Sequence, residues 1–307
     1  MPIVNGVVKL LKTRLNHFAA GLDGLERGDV TALHRVRVAS RRMRELIPVL
    51  QLPGNAGRKL NRRLRKVTRR LGTVRELDVL LLLIDELHVS RPVHQAALRL
   101  IRAEVAVARD AARKRLRSHL PIDTLRRLAK KLRRMVERLT DAQHGVPRKR
   151  GDRSGRDLRW AIDARVAQRS ARLNEAMIAA GAVYLPERLH DVRIASKKLR
   201  YALELWERLR GERNTPPVRA LKRVQALLGR MHDLQVLIER AREVQASLTP
   251  PSLSTWRELD ELVVALEDMC RRLHARYVRE RGALESLTRR AATSNLASRL
   301  RADQKAG

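Results

Sequence analysis

Leucine and valine recur at three- and four-residue intervals along almost the whole chain, the spacing that places one apolar stripe on an α-helix. Breaks in this pattern coincide with Gly and Pro, at Pro53-Gly54, Arg91-Pro92, Pro121 and Pro216-Pro217. The pattern predicts an all-α protein with helices over about residues 3–26, 30–50, 56–88, 92–118, 122–140, 157–180, 186–210, 217–247 and 252–290. One interval, HGVPRKRGDRSGRD at 144–157, holds three glycines and a proline and almost nothing apolar, so it reads as a linker. It separates a first half, 1–143, from a second, 158–290, and residues 291–307, rich in Ser, Ala and charge, read as a disordered tail.

The two halves repeat one another. LHRVRVASRRMR at 33–44 returns as LHDVRIASKKLR at 189–200, and NRRLRKVTRRLGTVRELDVLL at 61–81 returns as VRALKRVQALLGRMHDLQVLI at 218–238. The second alignment pairs Arg62 with Arg219, Arg65 with Lys222, Lys66 with Arg223, Gly72 with Gly229 and Glu76 with Asp233. The offset changes from 156 to 157 between the two blocks, which one extra residue in the intervening loop supplies. Several aligned blocks in the same order mark an internal duplication. With about four long helices in each copy, the expected architecture is two four-helix bundles related by a pseudo-twofold axis, with their equivalent basic surfaces joined into one.

Helical geometry sorts the charges of the first motif. Leu33, Val36, Ser40, Met43 and Ile47 form a seam at three- and four-residue spacing, and His34, Arg37, Arg41 and Arg44 follow one residue behind. One residue is roughly 100° of rotation, so this ridge flanks the buried seam, whereas Arg35 and Arg42 lie roughly 200° away and are expected to be solvated. The second motif sets His190, Arg193, Lys197 and Arg200 beside Leu189, Val192, Ser196, Leu199 and Leu203. Position 35 becomes Asp191 in the second copy, while the ridge stays basic or histidine at all four places. The next basic helix extends the surface with Arg62, Arg65, Lys66 and Arg69 in one half and Arg219, Lys222 and Arg223 in the other, where Arg69 is replaced by Ala226. Charge at a core boundary has a desolvation cost that a bound anion relieves. The two motif histidines fit an anion contact or a structural hydrogen bond equally well.

Composition narrows the partner. Lys and Arg number 67 against 33 Asp and Glu, a formal charge of +34 that repels itself and attracts polyanions. Arginine supplies 55 of the basic residues, and its planar fork matches phosphate oxygens two at a time. Seven aromatic residues, Phe18, Trp160, Tyr184, Tyr201, Trp206, Trp256 and Tyr277, are too few for a strand of stacked bases. Tyr201 and Trp206 read as core aromatics. Cys270 is the single cysteine, so neither an intramolecular disulfide nor a cysteine cluster for zinc can form, and its spacing from Leu266 and Leu273 suits burial. The longest apolar run, VLLLLI at 79–84, is too short to span a bilayer, and the start carries no cleavable leader pattern, so a cytoplasmic protein is expected.

His190-Asp191 and His232-Asp233 resemble the His-Asp pairs of metal phosphohydrolases, but their first-half counterparts are His34-Arg35 and Arg75-Glu76 and no further metal ligands accompany them. No phosphate-cradling glycine loop, H-E-x-x-H helix or nucleophile elbow occurs. No catalytic residue, metal or cofactor is therefore expected, and Glu76, Asp78 and Asp233 read as carboxylates that hold arginines in position.

The paired H-x-x-R-[VI]-A-S-[RK]-[RK]-[ML]-R motifs, each followed by a basic helix with L-G-x-x-x-[ED]-L, resemble the CHAD domain, a histidine-containing α-helical domain. The resemblance covers about residues 1–290. It implies two pseudo-symmetric four-helix bundles around a basic central groove, binding of inorganic polyphosphate in that groove, and association with polyphosphate granules. Sulfate or phosphate would occupy the same site. Some relatives add a triphosphate-tunnel domain with an E-x-E-x-K signature; none occurs here, so a stand-alone, non-enzymatic domain is expected. Two other functions compete with this one: sequence-indifferent binding of nucleic acid, and hydrolysis of polyphosphate.

Overall fold

The computed structural model describes residues 2–50, 52, 54–90, 92–144, 153–248 and 252–303. Among the described residues every regular element is helical: α1 Pro2–Ala20, α2 Leu22–Glu26, α3 Val30–Leu46, α4 Ala56–Ser90, α5 Gln95–His119, α6 Ile122–His144, α7 Arg153–Ala180, α8 Pro186–Leu209, α9 Pro216–Ala246 and α10 Leu253–Asp303. Short 3₁₀ turns at Ile47–Leu50 and Pro92–His94 follow α3 and precede α5. The chain forms two compact units, Met1–Val79 with Ala106–Ala161, and Leu80–Val105 with Ile162–Gly307. The ends of α4 and α5 that face each other in sequence thus belong with the second unit, although the repeat boundary lies at 144–157.

In the first unit α1 packs on α3 and α6. Its apolar face, Val7, Leu11, Leu15 and Phe18, is buried, as is the seam of Leu33, Val36, Ser40 and Met43 on α3 and Ile47 in the turn that follows it. Each large side chain so buried contributes about 2 kcal/mol. Asp29 starts α3 by accepting from the Thr31 amide at 2.7 Å. Inside the seam, the Ser40 and Thr68 hydroxyls meet at 3.0 Å, and each lies within donating distance of a carbonyl of its own helix, Arg37 O at 2.9 Å and Leu64 O at 2.7 Å, which ties α3 to α4 through paired hydroxyls.

In the second unit α9 packs on α8 and α10. Leu189, Val192, Leu199, Leu221, Val224, Leu228 and Tyr277 share one core with Leu173 and Met177 of α7. Pro216 opens α9 at a position that needs no amide proton, as Pro186 does for α8. The loop between them is fixed by buried Glu207, whose carboxylate accepts from the Asn214 and Thr215 amides at 3.2 and 2.7 Å and from the Thr215 hydroxyl. Asn214 sits at φ 53°, a left-handed conformation that Asn tolerates better than most residues. Glu258 of α10 holds the start of α5, accepting from the Ala96 and Ala97 amides at 2.9 and 3.1 Å.

Three differences from the sequence-based elements have local causes. The helix expected at 3–26 breaks at Gly21, where a Cβ would come within 2.6 Å of Val36 Cγ2; absence of a side chain lets α3 approach. The helix expected to run to residue 50 ends at Leu46 and tightens into the 3₁₀ turn containing Pro48, which cannot donate to the helical ladder. The tail expected after 290 is helical to Asp303, a stretch with neither Gly nor Pro. Of the expected linker, residues 145–152 lie outside the described residues, and α7 already begins at Arg153.

Candidate functional site

In the first unit the ridge lies at the boundary between seam and solvent. Arg37, Arg41 and Arg44 are half-buried and His34 is exposed. The Arg37 guanidinium lies over α4 at Gly72: Nε and Nη2 are 3.6 and 3.7 Å from where a Gly72 Cβ would be, with Glu76 Oε1 at 3.9 Å. Arg62, Arg65, Lys66 and Arg69 form one exposed stripe on α4. Burial first, then the like charges of Arg65 and Arg41, weaken the hold of Arg44 on its proton, with Glu45 opposing them. The pKa of His34 is lowered by partial desolvation and then by Arg75, Arg37 and Arg41. The arginine repulsion is the part that a bound anion would reverse.

In the second unit His190, Arg193, Lys197 and Arg200 are all half-buried. Arg200 is held: its Nε donates to Gln225 Oε1 at 2.7 Å, its Nη1 pairs with Glu204, and its guanidinium sits 4.8 Å over the Tyr201 ring. Arg219, Lys222 and Arg223 are exposed on α9 but divided in their contacts. Arg219 donates to the Asn214 carbonyl at 2.7 Å and Lys222 to Asn214 Oδ1 at 2.9 Å, whereas Arg223 turns to Glu280 of α10 at 3.3 Å. So α8 carries His190, Arg193 and Lys197 on one ridge, and Arg200 and Arg223 are paired with the carboxylates of Glu204 and Glu280 in their own unit.

Two residues outside the expected set join these clusters. Arg75 acts on His34 in the first unit. In the second, the His190 and His232 rings meet with centroids 4.7 Å apart and planes tilted by 52°. The pKa of His232 is lowered to about 4 by burial, then by Arg193, His190 and Lys197. Arg75 and His232 are equivalent in the repeat, one turn beyond Gly72 and Gly229. That shared register was the available signal; in the sequence it serves only to set aside a metal motif, because the side chains differ. Arg42, expected in solvent, is half-buried, while Arg35 is exposed.

Of the carboxylates, buried Asp78 bonds Arg113 of α5 at 3.2 Å, and Glu76 lies beside Arg37. Cys270 is buried, its Sγ 3.9 Å from the Met231 carbonyl, and burial pushes its thiol pKa up. Tyr201 is buried; Trp206 is half-buried and donates to Asp163 at 3.0 Å. Among the described residues no three His, Cys, Asp or Glu side chains are grouped so as to hold a metal ion, and no helix is long and apolar enough to cross a membrane.

The chain belongs to the CHAD domain family, whose profile matches residues 9–242. Its fold is similar to that of the CHAD domain from the plant Ricinus communis, with a TM-score of 0.59 at 21% identity over 92% of this chain and 91% of that one. It is similar also to PptA from Streptomyces chartreusis, with a TM-score of 0.56 at 19% identity over 96% and 99%. A search of curated proteins finds no match.

Proposed function

We propose that this protein binds inorganic polyphosphate through the basic faces of both units and does not turn it over. The observation that carries this reading is the ridge itself: in each unit a histidine and three cations occupy the same register beside the buried seam. A polymer of identical phosphates suits a repeated set of arginines, since each guanidinium can engage two oxygens of one residue and the next guanidinium meets the same chemistry again. Family membership adds support, because the resemblance in the motifs carries the same expectation. Association with polyphosphate granules follows from such binding.

Changing Arg37, Arg41, Arg193 and Lys197 together to Ala tests the assignment. Four charge-assisted contacts at about 1.5 kcal/mol each predict an affinity loss on the order of ten-thousandfold, with helicity unchanged by circular dichroism. Binding that survives would make these residues solvated flanks. Phosphate release on incubation with polyphosphate and divalent metals would instead make the protein a hydrolase.

A second reading, sequence-indifferent binding of nucleic acid, is favoured by a separate basic face. On α6, Arg126, Arg127, Lys130, Lys131, Arg133 and Arg134 are all exposed. Charge spread over one helix face attracts a duplex without reading its sequence.

A further inference from the structure

We propose that the second unit binds a small amphiphilic anion, a hydrocarbon tail bearing one carboxylate or phosphate, in the cleft between α7, α8, α9 and α10. The site is separate from the polyphosphate reading and does not rest on it.

The tail would lie where the core opens to solvent. Val166 of α7, Leu203 of α8 and Leu287 of α10 pack against the buried cluster that holds Leu199, Leu221 and Leu284, yet all three also line a cleft of about 930 Å³. That size suits a small molecule, and apolar surface at the bottom of a cleft has a cost in water that a hydrocarbon removes. Trp206 forms one wall and is fixed there: its Nε1 donates to Asp163 at 3.0 Å, and the Arg210 guanidinium lies 4.4 Å over its ring. Pro216 and Pro217 form another, set in place by the Glu207 carboxylate through the Thr215 amide at 2.7 Å. The cleft is therefore preformed. Because Arg210 covers one face of the single aromatic wall, a nucleotide base has little to stack on, whereas an aliphatic tail needs only apolar contact.

The head would meet α9. Arg219 and Arg223 both line the cleft, and at a spacing of four residues they share one face of the helix. Arg219 is held by a neutral partner, the Asn214 carbonyl at 2.7 Å, and Arg223 by Glu280 at 3.3 Å through Nε. A guanidinium has five N–H groups, so these contacts orient the two forks and leave further donors for an anionic head. Carboxylates are present too: Asp163 accepts from the Trp206 indole, and Glu212 pairs with Arg210 at 3.0 Å. Charge alone thus attracts only modestly here, and the tail is what selects an amphiphile over inorganic phosphate.

The cleft and the basic ridge lie on different sides of α9. Gln225, which meets Arg200 of α8, is two residues from Arg223 and so roughly 200° around the helix from it. A tail in the cleft and a polymer on the ridge of His190, Arg193 and Lys197 approach α9 from different directions.

Calorimetric titration of the full chain with monomeric decanoate, dodecanoate and dodecyl phosphate tests this. One molecule should bind per chain, with affinity rising roughly tenfold from decanoate to dodecanoate as two methylenes are buried. Arg219→Ala with Arg223→Ala should weaken dodecanoate binding about tenfold or more. Ala283→Trp, which fills the cleft, should abolish it and leave polyphosphate affinity unchanged; should that variant fail to fold, Ala167→Leu carries the same decision. Binding of several molecules per chain that neither filling variant alters would be adsorption to the basic surface and would overturn the site, as would affinity independent of tail length. A dimer in sedimentation that dodecanoate dissociates would give the cleft to a second copy and overturn it equally. Vesicles of anionic phospholipid should bind the parent and Ala283→Trp alike; vesicle binding lost in that variant would overturn a free ligand in favour of a membrane lipid.

Discussion

The pair α3–α4 in the first unit and the pair α8–α9 in the second share a seam and a ridge but differ in what surrounds the charges. In the first, Thr68 ties the helices through Ser40, and its exposed stripe of four cations lies alongside Arg44 and Arg41. In the second, the residue equivalent to Thr68 is Gln225, which reaches out to bind Arg200, and Glu204 joins it. His232 replaces Arg75, and Ala226 replaces Arg69. The duplicated scaffold therefore keeps the ridge and its charge while changing what surrounds it. One copy is crowded with permanent cations; the other is partly neutralised and titratable.

The largest expected effect separates the two copies directly. Arg37→Ala with Arg41→Ala, compared with Arg193→Ala and Lys197→Ala, removes two ridge cations from one unit at a time. Each pair should weaken polyphosphate binding on the order of a hundredfold at pH 8, from about 1.5 kcal/mol per contact. The first-unit pair should have the greater effect at that pH and the difference should narrow at about pH 5.5. Equal losses at both pH values would end the distinction between the units.

A stability difference comes next. Glu207→Ala leaves the Asn214 and Thr215 amides without their carboxylate acceptor and should lower stability by about 2–3 kcal/mol in urea titration. It should also weaken binding, because Asn214 positions Arg219 and Lys222. A variant as stable as the parent would mean that the loop is held by something else.

The smallest effect is on the pH dependence of folding. His232 falls to about 4 in the folded chain from an ordinary value near 6.5, so between those values the unfolded chain binds more protons. Stability is therefore fullest above pH 6.5 and declines as pH falls toward 4; the lowered pKa of His34 acts in the same direction. The urea midpoint should drop between pH 7.5 and 5, less so in His232→Gln and less so with polyphosphate bound. A midpoint independent of pH in the unaltered protein would contradict the lowered pKa of His232.

Much of this arrangement was legible in the sequence because helical periodicity fixes angle. The seam residues Leu33, Val36, Ser40, Met43 and Ile47 are all buried, and the residues one step behind them lie at its edge. What the pattern could not carry was pairing over distance. Nothing local shows that Arg200 is bound by Gln225, a residue 25 positions away, or that Arg223 turns to Glu280 on α10. Arg42 was placed in solvent by angle alone, yet it is half-buried, since a long side chain can lie back along the surface it leaves. Gly21 gave no sign of a break because a single glycine inside an apolar pattern is ordinary; its role depends on Val36 of another helix. Arg75 and His232 are paired by the repeat, but the sequence weighs them only as part of a metal motif, since one is a permanent cation and the other a histidine.

The most direct test of the central claim is calorimetric titration with long-chain polyphosphate and with duplex DNA at equal phosphate concentration and physiological salt. Polyphosphate is predicted to bind more tightly, with log K falling linearly in log salt at a slope of about 0.9 per phosphate engaged, by analogy with duplex DNA. Tighter binding of the DNA would contradict the assignment and transfer it to the nucleic-acid reading.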